Sequence, residues 1–268
     1  MFARLEEPKL WLIQTPSSKA RMEDSILHSG FEVGKFEAEN YAELERLRQR
    51  REELTILFSA LALGSIAGLA LFSLVLIAGL PIAAIAGELQ KTSQRFLFMS
   101  ELVEAFESED ISIKVGLKGE GIREIDFFLI FPDKEFILIQ IRSLSFSKIA
   151  YKEERQALRI TRKKKKGGVT TWKPDPLLEL LDQERWLRKE RPDLLGGSSR
   201  DRRRPIAKLL ILWDDTVLGE HPEHLYATMN DQKFLMIRNK GTVFIVEREQ
   251  VIDFIQGYLD SRRSPKTP

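Results

Sequence analysis

Residues 122–144, IREIDFFLIFPDKEFILIQIRSL, decide the fold class of this chain. Two apolar runs flank Pro132-Asp133-Lys134-Glu135, a group suited to a tight reversal, because proline presets φ and aspartate bonds its own backbone. The stretch therefore predicts two antiparallel strands. Side chains alternate along a strand with period two, so Gln140 and Arg142 share a face, with Leu138, Ile139 and Ile141 filling in around them. The reversal returns that pair to the end of the sheet where Asp126 lies. An acid, an amide and a guanidinium are thereby expected at a common point.

Around this hairpin the chain reads as alternating helices and strands. Phe96, Met99, Leu102, Val103 and Phe106 gather on one side of a helix over 91–108, and 111–117 alternates as a strand. Gly116, Gly119 and Gly121 mark a turn that no helix follows, so they form no phosphate cradle. Helices are expected over 148–162, ended by Gly167-Gly168, and over 175–191, opened by Pro174-Asp175-Pro176. Residues 196–205 read as a flexible linker and 206–213 as an apolar strand ending at Asp214-Asp215. A hairpin around Asn239-Lys240-Gly241 and a closing helix over 249–259 complete residues 91–260, with a disordered tail at 261–268. The order predicts an α/β domain, a mixed sheet flanked by helices.

Residues 54–87 are of another kind: 34 positions without one Asp, Glu, Lys, Arg, His, Asn or Gln. A single span takes ~20 apolar residues, so this run is long for one helix and slightly short for two. Gly64, Gly68, Gly79 and Pro81 offer bends. The run predicts a membrane-embedded helix or helical hairpin ahead of the α/β domain. Arg46, Arg48, Arg50 and Arg51 precede it, and Lys91 and Arg95 follow. Positive residues on both sides favour a hairpin with both ends, and the large carboxy-terminal domain, in the cytoplasm. A single tilted span is the rival. Residues 1–53 read as a mostly helical cytosolic segment, with a short strand at Trp11-Leu12-Ile13 and helices over 17–28 and 36–53.

Composition removes several chemistries. The chain of 268 residues has no cysteine, which excludes disulfides, thiolate metal sites and cysteine nucleophiles. Its three histidines lack strong ligand spacing, and His221-Pro-Glu-His224 reads as a loop. Net charge is only +2, yet 31% of residues are charged and they come in blocks. Arg155, Arg159, Arg162, Lys163, Lys164, Lys165 and Lys166 form an acid-free run that can neutralise phosphates of nucleic acid or the anionic bilayer surface. A solvated loop accounts for it equally well.

The predicted order resembles the core of the restriction-endonuclease-like, or PD-(D/E)XK, superfamily, α-β-β-β-α-β. The stretch GIREIDFFLIFPDKEFILIQIRS is similar to nuclease-related (NERD-type) domains, and the similarity covers residues 99–151. It implies that Asp126 matches the metal-binding aspartate, that Gln140 stands at the second acid position and that Arg142 stands at the lysine position. It further implies a magnesium ion held by Asp126 and Gln140, with Glu101 or Glu104 on the preceding helix adding an oxygen. Arg142 would stabilise charge on the phosphate, but a guanidinium stays protonated and cannot serve as a base. Two functions follow from the altered motif. One is a membrane-anchored, metal-dependent phosphodiesterase acting on nucleic acid. The other is an inactive nuclease fold that tethers nucleic acid or protein to the bilayer.

Overall fold

A computed structural model describes residues 36–67, 72–162, 169–196, 198–238 and 241–263, with the side chains of residues 63–81 left aside. Two helices come first, α1 (Glu37–Ala67) and α2 (Phe72–Ala105). Strands β1 (Ser112–Leu117), β2 (Ile125–Ile130) and β3 (Phe136–Ser143) follow as an antiparallel meander. Next come β4 (Ser147–Lys152), β5 (Ala157–Arg162) and β6 (Thr170–Thr171), then helix α3 (Pro176–Glu190). Strands β7 (Ile206–Trp213), β8 (Thr216–Leu218), β9 (Tyr226–Met229), β10 (Gln232–Ile237) and β11 (Val243–Glu247) lead to helix α4 (Val251–Arg263).

The main sheet has seven strands in the order β1-β2-β3-β7-β11-β10-β9. Its centre is parallel, β3 beside β7 beside β11, and both wings are antiparallel. A strand buried on both faces needs an almost continuous apolar run, and β7, IAKLLILW, supplies one that is buried throughout. One face packs Phe127, Leu129, Ile137 and Ile139 against Phe98, Met99 and Leu102 of α2 and Phe254 and Ile255 of α4. The other packs Phe128, Leu138, Leu210 and Leu212 against Leu177, Leu180 and Leu187 of α3 and against Ile149 and Tyr151 of a second sheet. That second sheet has four strands, β6-β5-β4-β8. The result is a mixed α/β architecture with sheets flanked by helices.

α1 and α2 pack antiparallel along their polar ends. The Arg51 guanidinium lies 4.1 Å from the centre of the Phe96 ring, and Asn40 Nδ2 donates to the Ile111 carbonyl at 2.7 Å. The apolar run is thus divided between two helices on either side of residues 68–71. At 1.5 Å per residue its parts, 54–67 and 72–87, reach only ~21 and ~24 Å against a hydrocarbon core of ~30 Å. Among the described residues no helix is long and apolar enough to cross a membrane.

Several expectations are corrected. The helix expected over 148–162 is the hairpin of β4 and β5. Ile149 and Tyr151 face Ile160 and Leu158 at strand spacing, and Gln156, at φ 48°, closes the turn. The linker 196–205 holds a 3-10 turn, Asp201–Arg203, fixed where Lys134 Nζ meets Asp201 Oδ2 at 2.7 Å. The tail expected from residue 261 begins later. α4 runs to Arg263, whose Nη2 donates to Glu109 at 2.8 Å, and Arg262 donates to Glu135. The elements expected within residues 1–35, the end of the tail and Lys163 to Lys166 lie outside the described residues.

Candidate functional site

Asp126 stands where β2 leaves β3. The Cα register between the two strands ends at Phe127 opposite Ile139. Beyond it the Ile141 N–H donates to Asp126 Oδ2 at 2.9 Å, so a carboxylate takes the place of a backbone acceptor. The alternation of β2 slips here, for Ile125 packs with the α3 side of the sheet while Phe127 packs with the α2 side. Asp126 consequently meets α2, whose Arg95 donates to Oδ1 from Nη2 at 2.7 Å and from Nε at 3.3 Å. Neither side chain is more than a tenth exposed.

Arg95 is shared. Its Nη1 donates to Glu124 Oε1 at 3.1 Å, and Glu124 also accepts from Lys91, one turn earlier on α2. Burial disfavours charge on both partners, yet the pairing wins. The Asp126 and Glu124 carboxylates hold the Arg95 pKa above its ordinary value, and Arg95 with Lys91 holds the Glu124 carboxyl below its own. Gly116 makes room for this cluster. At φ +65° it adopts the left-handed backbone that glycine tolerates, and a Cβ there would lie 3.0 Å from Glu124 Oε1 and 3.2 Å from Arg95 Nη1.

Gln140 and Arg142 take a different partner. Both belong to the phase of β3 that faces α3, and both donate to Glu179 Oε2, Gln140 from Nε2 at 3.2 Å. Glu179 is set there by the start of α3, where Asp175 caps the helix by accepting from the Leu177 N–H at 3.0 Å and Pro176 follows. Gln140 is wholly buried and its Oε1 has no hydrogen-bond partner among the described residues. Burial and the nearby Arg123 push the Arg142 pKa down, against the opposing pull of Glu179 and Asp126. The structure therefore brings Gln140 and Arg142 together on Glu179 and places Asp126 on Arg95, with the two partners on opposite faces of the sheet.

The remaining sequence candidates lie apart. Glu101 pairs with Arg248, whose guanidinium sits 4.4 Å from the centre of the Trp213 ring, and Glu104 is exposed. Arg155 lies on the 3-10 turn between β4 and β5, Arg162 is exposed at the end of β5, and Arg159 Nη2 donates to the Val169 carbonyl at 2.7 Å. His221 Nε2 accepts from the Tyr151 N–H at 2.8 Å while His224 contacts Glu153, so the two imidazoles do not converge. Among the described residues no three His, Cys, Asp or Glu side chains cluster so as to hold a metal ion.

What does form is an open cavity of about 240 Å³ at the carboxyl end of β3. Gly87, Gln90, Lys91, Gln94 and Arg95 of α2 make one wall, and Arg123, Asp126, Ile141, Arg142 and Ser143 make the other. Asp214, beyond the end of β7 at φ 54°, ties the rim by accepting from Ser143 Oγ at 2.8 Å, Gln94 Nε2 at 3.1 Å and Gln90 Nε2 at 3.4 Å. The carboxyl ends of parallel strands are where open α/β sheets place their sites. The hairpin's sequence pointed to Asp126 and Arg142. The sequence reads Lys91 and Arg95 only as charges flanking the apolar run and gives Glu124 and Glu179 no signal, because their roles in the site arise only when α2 and α3 dock on the sheet. No protein family, curated protein or solved structure matches the chain.

Proposed function

We propose that the chain is a nuclease-like domain that binds phosphate-bearing ligands without cleaving them and is held to a bilayer by the α1–α2 hairpin. The observation that carries this reading is the Arg95 guanidinium seated on Asp126. A magnesium site needs about six oxygen ligands in near-octahedral order. Here one carboxylate oxygen of Asp126 is taken by Arg95 and the other by the Ile141 N–H. Gln140 Nε2 and Arg142 serve Glu179, and Gln140 Oε1, without a partner among the described residues, adds one neutral oxygen on the α3 side, away from the Asp126–Arg95 pair. The donor set does not fit the metal.

The nuclease-like ancestry draws support from the order α2-β1-β2-β3-α3-β7, which has the α-β-β-β-α-β succession of that superfamily with β4 to β6 inserted. Membrane attachment draws support from residues 54–87, whose apolar character continues along both helices of the hairpin. Nucleic acid is a ligand this fold suggests. Arg155 and Arg162 are exposed and precede the lysine run of the sequence.

The test is a comparison of cleavage with binding. Full-length protein in phosphatidylcholine nanodiscs is expected to leave supercoiled DNA intact with magnesium or manganese. It is expected to bind short duplex DNA with an affinity that falls steeply as salt rises. Replacing Lys163 to Lys166 by glutamine should weaken that binding, whereas Asp126→Ala should not. Metal-dependent nicking abolished by Asp126→Ala would refute the proposal.

A further inference from the structure

We infer that the cavity between α2 and the end of β3 is a binding site for a single phosphate monoester, presented either by a lipid headgroup or from solution. Four of its ten lining residues are the cations Lys91, Arg95, Arg123 and Arg142, against the one acid Asp126. Glu124 and Glu179 stand behind the lining, the first accepting from Lys91 and Arg95 and the second from Arg142. With Asp214 on the rim, four cations meet four acids. The cation without a partner is Arg123, which is exposed and pairs with no acid among the described residues.

The neutral donors agree. Each primary amide carries two N–H groups, and Gln90 and Gln94 each give one to Asp214, which leaves the second for a ligand oxygen. Arg142 is buried close to Arg123, whose guanidinium disfavours the charge on Arg142. An anion between them would offset this, and guanidiniums match phosphate oxygens in pairs. The cavity, about 240 Å³ and open, has room for one phosphate group with its ester carbons.

Position narrows the source. Gly87 closes the apolar run and is also part of the cavity wall, and the wall continues through Gln90, Lys91, Gln94 and Arg95 on the same helix. A helix whose apolar part enters hydrocarbon would carry this cavity at or near headgroup depth. The site deepens the binding role proposed above, and its lipid arm rests on the membrane attachment.

The experiment uses full-length protein in nanodiscs and two probes. One is inorganic phosphate titrated calorimetrically onto protein in phosphatidylcholine discs. The other is thermal stabilisation in discs of phosphatidylcholine with phosphatidic acid, relative to phosphatidylcholine alone. Saturable binding is expected for at least one probe, with Arg123→Gln weakening it about tenfold, the loss of one charged hydrogen bond. Arg185→Gln, on the exposed side of α3, should change nothing. A response to phosphate assigns a soluble ligand, and a response to phosphatidic acid alone assigns a lipid. Silence from both probes, or an Arg123→Gln protein that binds as well as the parent, overturns the inference. Flotation with pure phosphatidylcholine vesicles reads membrane attachment separately, so failure of that attachment is not mistaken for failure of the site.

Discussion

The Arg142 guanidinium donates to Glu179 Oε2, the oxygen that also accepts from Gln140 Nε2 at 3.2 Å. One carboxylate thereby satisfies a cation and an amide, with the Arg142 side chain 8% exposed and that of Glu179 16%. Removing one member of a buried pair strands the other's charge, which costs about 3–5 kcal/mol. Glu179→Ala is expected to lose that much in urea unfolding. A Glu179→Leu, Arg142→Met double substitution should recover most of it, since both charges then leave together. A loss below ~1 kcal/mol would place the pair in the exposed class and defeat the account.

Arg95 and Asp126 make the corresponding prediction for metal. With the guanidinium in place, millimolar magnesium or EDTA should leave the melting temperature unchanged. Arg95→Ala is expected to destabilise by about 3–5 kcal/mol, because Asp126 is then buried without its cation. It should also create a magnesium-dependent rise in melting temperature, which Arg95→Ala combined with Asp126→Asn lacks. Magnesium stabilisation of the unaltered protein would show that Arg95 yields to the ion.

Acid should destabilise the protein in two separate windows. Burial lowers the His221 pKa, with Lys152 and Lys148 adding to the effect, and Nε2 accepts the Tyr151 N–H only when unprotonated. The unfolded histidine takes its proton near pH 6.5 and the folded one lower. Stability is therefore complete above about 6.5 and falls as pH drops toward the folded value. Glu124 acts lower, its folded pKa held below the ordinary carboxylate value by Arg95 and Lys91 against the cost of burial. Its contribution is present above the unfolded value and is lost as pH falls through the folded one. In denaturation curves taken across pH, His221→Asn should flatten the upper window and Glu124→Gln the lower. An unchanged slope near pH 6 in His221→Asn would defeat the first assignment.

Local signals announced much of this fold, and tertiary contacts produced the rest. The meander β1-β2-β3, strand β7 and helix α3 were legible because period-two and period-3.6 patterns coincided with strong punctuation at Pro132-Asp133 and Pro174-Asp175-Pro176. Residues 148–162 misled because Arg155, Arg159 and Arg162 recur at near-helical spacing, while Ile149, Tyr151, Leu158 and Ile160 carry the strand signal that burial on the second sheet rewards. Glycine spacing at 116–121 read as a turn, yet Gly116 lies within β1 at positive φ beside Glu124 and Arg95. Of the site, the strand residues were visible and their partners on α2 and α3 were not.

That position of Gly116 can be tested. Alanine there must take up left-handed backbone, which costs a residue with a Cβ about 1–2 kcal/mol, and must displace Glu124 or Arg95 from their contact. Gly116→Ala is expected to lower stability by at least that amount and to weaken the lower pH window in the same experiment. Gly121, also at positive φ but with open space where a Cβ would stand, should show the backbone cost alone.

The hairpin makes the last prediction, because its two apolar arms are each too short to cross a bilayer while together they exceed one span. Both ends of the chain are then expected on the same side of the membrane. Tags at the two termini should be digested together by protease added to one face of sealed vesicles. On α1, Ile56 is 71% exposed and Leu57 46%, apolar surface that burial in lipid would cover. A lysine at a helix centre in hydrocarbon costs ~2.5–3.5 kcal/mol, and these two positions near the start of the run should cost less each. The double substitution Ile56→Lys, Leu57→Lys should release the protein to carbonate extraction without shifting the urea midpoint of the α/β domain. Termini protected on opposite faces would establish a single tilted span, and a parent protein extracted as readily as the variant would remove the membrane from the account.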